Sequence, residues 1–231
     1  TATAIQKRME MEGIGSGPSV ACLVGPTIAY EIARKVPTLV QLASSEPDSA
    51  RNIAQAFSTS YFHCRQSPDL AGVETCAAYK NIYTIALSWP AGLSEDDGCG
   101  DQTNLKAILF LQTMHELRQL VAASGGDPET VSGIAGIGDL VTTAESGRNG
   151  KLGKLLGSGQ SVNEALDTMA ESGIQTIEGY EAAKLGIRRA EAFFDSVSSR
   201  LPLLHGIHQV IHSKKSVREV IDSFELNRLM A

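Results

Sequence analysis

The sequence predicts an α/β piece over residues 1–70 followed by an all-helical domain over residues 71–231. Three observations predict this. Short apolar runs alternate with helix-like segments before residue 70. Helical periodicity takes over afterwards, and no further strand pattern follows. Breakers and caps such as Pro90 and Gly125-Gly126-Asp127-Pro128 then divide the second part into separate helices.

Residues 1–15 fit the tail of a helix. Residues 19–24 are a continuous apolar run closed by Gly25-Pro26, the pattern of a buried strand of the kind found in parallel sheets. A short helix is predicted over 27–34 and a second strand over 37–43. A helix over 46–57 places Ala50, Ile53, Ala54 and Phe57 at helical spacing, and residues 61–65 form a third strand. Asp69 or Ala71 opens a helix to about Leu87, which Pro90 ends. Residues 92–100 read as a loop rich in Asp and Gly. A long helix over 103–123 carries Leu105, Ile108, Leu109, Leu111, Leu117, Leu120 and Val121 on its apolar stripe. Shorter helices are predicted over 128–134, 149–157, 161–171, 178–194, 202–212 and 216–222. Ser161 with Glu164 and Ser216 with Glu219 are capping-box patterns.

A net charge of −6 argues against a general nucleic-acid groove, so an anionic ligand needs a local basic cluster. Cys22, Cys64, Cys76 and Cys99 show neither CxxC pairing nor metal spacing, and read as free thiols in a reducing, cytoplasmic compartment. The longest apolar runs fall far short of a membrane span, and the opening residues lack a signal-peptide core.

Two segments carry the chemistry. In the first, Lys80 has Cys76, Ala77, Tyr83 and Thr84 one helical turn away. A lysine among such neighbours either snorkels its ammonium to the surface or loses water and becomes a proton carrier. In the second, Asp139, Thr143, Arg148 and Asn149 fall within eleven residues. Asp139 is either a helix cap or a carboxylate turned inward by Gly136 and Gly138. Arg148 and Asn149 open a helix containing Lys151 and Lys154, where free N–H groups and the dipole favour an anion. The alternative is an exposed basic first turn. No strand precedes Gly133, so the glycines there are not a dinucleotide loop. His205, His208 and His212 share a helix face, but no carboxylate or cysteine joins them at ligand spacing; ordinary helix residues are expected, and no metal.

Residues Gly72-Val73-Glu74 with Lys80-Asn81, and Gly136-Ile-Gly138-Asp139-Leu with Thr143, resemble the signature of the NAD(P)-dependent glycerol-3-phosphate dehydrogenases. Gly147-Arg148-Asn149 resembles their G-R-N segment, Gly25-Pro26-Thr27 through Glu31 their G-P-S/T-F-A-x-E segment, and Ile177-Glu178-Gly179 their V-E-G segment. Ile28 stands where an aromatic is usual, and Tyr79 replaces a leucine, a packing change only. The resemblance implies the last strands of a Rossmann-type sheet, then a helical domain of the 6-phosphogluconate-dehydrogenase-like C-terminal type. It implies hydride transfer between NAD or NADP and dihydroxyacetone phosphate, giving glycerol 3-phosphate. Lys80 would exchange the proton and Asp139 would orient and charge-balance it. Gly25, Thr27, Asn81, Thr143, Arg148 and Asn149 would border the substrate. Ala29, Arg148 and Glu178 would border the cofactor. A homodimer is common in the family.

The family's G-x-G-x-x-G turn and an upstream K-G lysine have no counterpart here; Gly13-Ile-Gly15-Ser-Gly17-Pro18 lacks the spacing. The expectation is therefore the C-terminal part, about two thirds, of a longer enzyme. The second reading is a non-catalytic module that binds phosphorylated metabolites or assembles with a partner. Cofactor titration separates the two.

Overall fold

A computed structural model of the chain describes residues 2–12, 20–97, 100 and 102–224. Ser19, Cys99 and the 13–18 glycine stretch lie outside the described residues. Strands β1 (Ala21–Val24), β2 (Thr38–Ser44) and β3 (Phe62–Ser67) form one sheet in the order β1-β2-β3. β2 and β3 run parallel, with Leu42 opposite Gln66. Their crossover is α3 (Pro47–Phe57), whose proline at the start has the φ a first helical residue needs. Ala50 and Ala54 of α3 pack on Leu42, while Phe57, the last residue of the helix, is exposed.

β1 departs from the expectation. It pairs antiparallel with β2, Leu23 opposite Leu42, and only Val24 of its four residues is buried. A strand covered on both faces would bury the whole run; this one is an edge strand with Leu23 39% exposed.

The chain divides into two compact units: Thr1–Ala77 with Arg118–Thr142, and Ala78–Leu117 with Thr143–Ala231. The first holds the sheet, α1 (Ala2–Met11), α2 (Ala29–Ala33), α3, the start of α4 (Leu70–Leu87) and the end of α6 (Thr103–Ala123). Asp69 organises its far side. Its Oδ1 accepts from Gly72 N at 2.9 Å, and its Oδ2 accepts from Asp127 N at 3.0 Å and Thr130 Oγ1 at 2.5 Å. One carboxylate thus caps α4 and ties down the 127–130 turn. The helix expected over 128–134 is instead a 3-10 turn (Pro128–Ser132) and a π turn (Ile134–Gly138), because Gly133 between them is extended at φ −103, ψ −158.

The second unit is helical. It contains α5 (Trp89–Asp97), α8 (Arg148–Gly157), α9 (Val162–Glu171), α10 (Glu178–Glu191), α11 (Val197–Arg200), α12 (Pro202–His212) and α13 (Val217–Asp222). The predicted capping boxes at Ser161 and Ser216 are both formed. The loop expected over 92–100 is largely α5. Pro90 occupies the first turn of α5, where its missing N–H breaks no helical bond, so it starts a helix as well as following one. Backbone meets backbone where α8 packs on α4 and α5. A Cβ on Gly153 would overlap the Ile85 carbonyl, one on Gly157 the Trp89 carbonyl, and one on Gly92 the Lys154 carbonyl.

Glu116 of α6 is fully buried and accepts four hydrogen bonds. Oε1 receives Gln112 Nε2 at 2.8 Å and Leu203 N at 2.6 Å; Oε2 receives Tyr83 Oη at 2.8 Å and Leu204 N at 2.9 Å. It therefore caps α12 from inside the core, against the positive end of that helix. Burial pushes its carboxyl up to about 7, even though all four donors pull the other way.

A raised carboxyl favours the folded state while it stays protonated. Its stabilisation is full below the ordinary value of 4.5 and lost as pH rises through about 7. Urea midpoints of the protein should fall between pH 5 and 8 with a component that Glu116→Gln lacks. At pH 8 that variant, which puts an amide N–H against a donor, should lose about 1–3 kcal/mol. A pH profile identical in both proteins would refute this role.

Candidate active site

Lys80 sits half-buried on α4, in the part of that helix that belongs to the second unit. The helix is anchored on both sides of it. Tyr79 Oη donates to Gly186 O at 3.0 Å, and Tyr83 Oη donates to Glu116. Burial pushes the Tyr79 phenol up to about 12, so it remains a donor. Tyr79 is thus more than the packing change the sequence suggests. Thr84 Oγ1 donates to the Lys80 carbonyl at 2.8 Å, as a hydroxyl four residues on can.

Asn81, next to Lys80, begins a buried polar ladder. Asn149 Nδ2 donates to Asn81 Oδ1 at 3.1 Å, and Asn149 Oδ1 accepts from Gly179 N at 2.8 Å. Asn149 is 3% exposed. A Cβ at position 179 would collide with the Asn81 carbonyl and come within 2.8 Å of Asn149 Oδ1, so glycine is the residue that fits. The ladder joins α4, the start of α8 and the start of α10. One residue back on each of those starts, Arg148 and Glu178 form an ion pair between half-exposed side chains.

Arg148 also borders a cleft of about 870 Å³ with Ser88, Ser94, Lys106, Lys151 and Lys154. Glu95 pairs with Lys154 at 2.6 Å and Glu145 with Lys106 at 3.7 Å. Both pairs are exposed and so hold little energy. With Glu178 on Arg148, three carboxylates pair with three of the four cations lining the cleft, and Lys151 is the fourth, so a net positive charge remains in a chain of net charge −6. Gly147, the N-cap of α8, supplies no side chain to its N–H groups.

Gly25, Thr27, Ala29 and Asp139 lie in the first unit; Asn81, Thr143, Arg148, Asn149 and Glu178 lie with Lys80 in the second. Gly25 has φ +152, and a Cβ there would stand 3.0 Å from both Ile134 Cγ2 and Val40 Cα. Thr27 Oγ1 donates to Gly25 O at 3.2 Å, and Ala29 opens α2. Asp139 is 3% exposed and begins α7 (Asp139–Ser146) with helical backbone, φ −73 and ψ −34, continuous with the π turn. An N-cap residue has extended backbone, so the cap reading of Asp139 does not hold. Thr143 is half-buried in α7, with its carbonyl beneath Gly147.

The His208 and His212 rings lie 5.0 Å apart between centroids, tilted by 53°, and the Tyr180 ring lies 6.1 Å from that of His212. Among the described residues no cluster of three or more His, Cys, Asp or Glu side chains is arranged to hold a metal. Nor is any described helix long and apolar enough to cross a membrane. The Glu116 cap escaped sequence reasoning. Its signal was there: Gln112, Thr113 and Glu116 interrupt the apolar stripe of α6 at positions that continue it.

The chain thus combines a three-stranded mixed sheet in one unit with a helical second unit. Residues 69–222 match the family of the NAD-dependent glycerol-3-phosphate dehydrogenase C-terminus, and the chain belongs to that family. It is 35% identical over 204 residues to an NADP(+)-dependent glycerol-3-phosphate dehydrogenase of Archaeoglobus fulgidus, covering 88% of this chain and 59% of that protein. It is 37% identical over 205 residues to a glycerol-3-phosphate dehydrogenase [NAD(P)+] of Levilactobacillus brevis, covering 88% of this chain and 57% of that protein. The crystal structure of a glycerol-3-phosphate dehydrogenase from Coxiella burnetii superposes with TM-score 0.74 at 29% identity, over 88% of this chain and 59% of that one. The chain therefore spans less than two thirds of the length of these relatives.

The ladder makes a direct prediction. Asn149→Asp keeps the acceptor for Gly179 N but turns an oxygen toward Asn81 Oδ1. It should destabilise the protein by about 1–3 kcal/mol in urea unfolding at neutral pH. An unchanged midpoint would show that the ladder carries no load.

Proposed function

We propose that the chain serves a glycerol-3-phosphate dehydrogenase reaction, the interconversion of dihydroxyacetone phosphate and glycerol 3-phosphate. Lys80 donates a proton to the C2 oxygen on reduction and takes it back on oxidation. Asp139 is the second catalytic residue. Arg148, with the N–H groups of α8 behind it, grips the phosphate. Gly25, Thr27, Asn81, Thr143 and Asn149 complete the substrate's surroundings. Residues 1–70 belong to the nucleotide-binding side and residues 71–231 to the substrate side. A cytoplasmic homodimer goes with this reading.

The observation that carries it is the ladder from Asn81 to Gly179. It ties the turn bearing Lys80 to the two helix starts bearing Arg148 and Glu178. Lys80 and Arg148 are thereby held in one helical unit, which supports giving them linked roles. The family match over residues 69–222 supports the same assignment. A nicotinamide cofactor, NAD or NADP, supplies or accepts the hydride when bound. Ala29, Arg148 and Glu178 would hold its nicotinamide side, and the half-exposed Arg148 and Glu178 side chains are open enough to meet it.

In the complete enzyme, with its nucleotide-binding part, replacing Lys80 with Met should lower kcat about 100- to 10,000-fold in an NADH-oxidation assay with dihydroxyacetone phosphate, and leave KM largely unchanged. Turnover near that of the unaltered protein would refute the role of Lys80. Arg148→Ala should instead raise KM about 10- to 100-fold, the loss of a charge-assisted contact.

A further inference from the structure

We propose that Glu178 is a built-in competitor for the Arg148 guanidinium, so that a phosphate-bearing ligand binds by displacing a carboxylate of the protein itself. The inference rests on the reading of Arg148 as a phosphate ligand. It starts from where the two side chains are rooted. Arg148 is the first residue of α8, and Glu178 is the first residue of α10. Their neighbours are locked together, since Asn149 Oδ1 accepts Gly179 N at 2.8 Å and nothing larger than glycine fits at 179. The ion pair therefore forms without any ordering of the backbone.

Charge explains why it forms. Arg148 stands at the positive end of its helix, a like-signed position, with Lys151 one turn on and lining the same cleft. Some anion is wanted there. Glu178 supplies one, and its own place in the first turn of α10 suits a carboxylate. The two helix starts thus share the Glu178 carboxylate, and Glu181 stands one turn further along α10.

A phosphate monoester carries nearly two charges and three acceptor oxygens, so it competes well for the same fork of N–H groups. The carboxylate cannot stay beside it, because like charges at that distance repel. The side chains of Arg148 and Glu178 are 48% and 43% exposed, so the carboxylate can swing into water. Exposure also makes the pair weak. Glu178 therefore trims affinity without blocking the site, and it selects against singly charged anions that gain nothing by replacing one carboxylate with another.

The test is calorimetric titration of the full chain with inorganic phosphate at low ionic strength and neutral pH. Glu178→Gln keeps an oxygen for Arg148 and removes the charge. It should tighten phosphate binding about 2- to 5-fold. Its unfolding midpoint should stay close to that of the unaltered protein, and its advantage should shrink as salt screens the pair. Arg148→Ala should abolish phosphate binding in both backgrounds. If Arg148→Ala abolishes binding but Glu178→Gln leaves it unchanged or weaker, the competitor role is overturned and the phosphate reading stands. If Arg148→Ala binds phosphate as well as the unaltered chain does, the phosphate reading falls and the competitor with it.

Discussion

The second unit depends on how closely α8 lies against α4 and α5. Gly150, Gly153 and Gly157 follow each other at spacings of three and four, which puts them on one face of α8. That face rests on the backbone at Ile85 and Trp89 and on the Ser88 side chain, and Gly92 of α5 meets the α8 backbone at Lys154 and Gly157. A single added methyl would have to push two helices apart, and close-packed interiors absorb such shifts poorly. Everything at the start of α8 inherits its position from this contact, Arg148 and Asn149 included.

On that scaffold the buried polar groups act as registration marks. Asn81, Asn149 and Gly179 hold three helices at one level. Glu116 does the same for α4, α6 and α12. Buried polar networks of this kind stabilise only when their members are satisfied, and they penalise any other alignment of the same helices. The apolar core would tolerate a slide of one helix along another far better than these bonds would. Lys80, flanked by Tyr79, Asn81 and Tyr83, is fixed on a segment with three independent anchors.

Much of the fold was legible from periodicity. The three strands, the long α6 and both capping boxes follow from local patterns, because each depends on neighbours close in sequence. What was not legible depends on partners far away. The pairing direction of β1 is set by β2, and a four-residue apolar run carries no information about direction. Pro90 looks like a terminator until α8 provides a surface for the helix that starts there. Of the candidate site, Lys80, Asp139 and Arg148 stood out by chemistry and resemblance. The ladder did not, because an asparagine in a first turn looks the same whether its amide meets water or another helix. Glu116 was overlooked for a related reason: a carboxylate on an apolar stripe looks like an error in the stripe until four donors are seen to converge on it.

Cys76 lies on α4 in the first unit, 1% exposed. Burial first, then the carboxylates of Asp69 and Asp139, push its thiol up to about 12. Sulfur chemistry needs both thiolate and access, and the folded chain withholds both. The cysteine is therefore a silent reporter. Its rate of capture by an alkylating reagent clocks the opening of that segment rather than the nucleophilicity of the sulfur, and so reads local unfolding without any label being introduced.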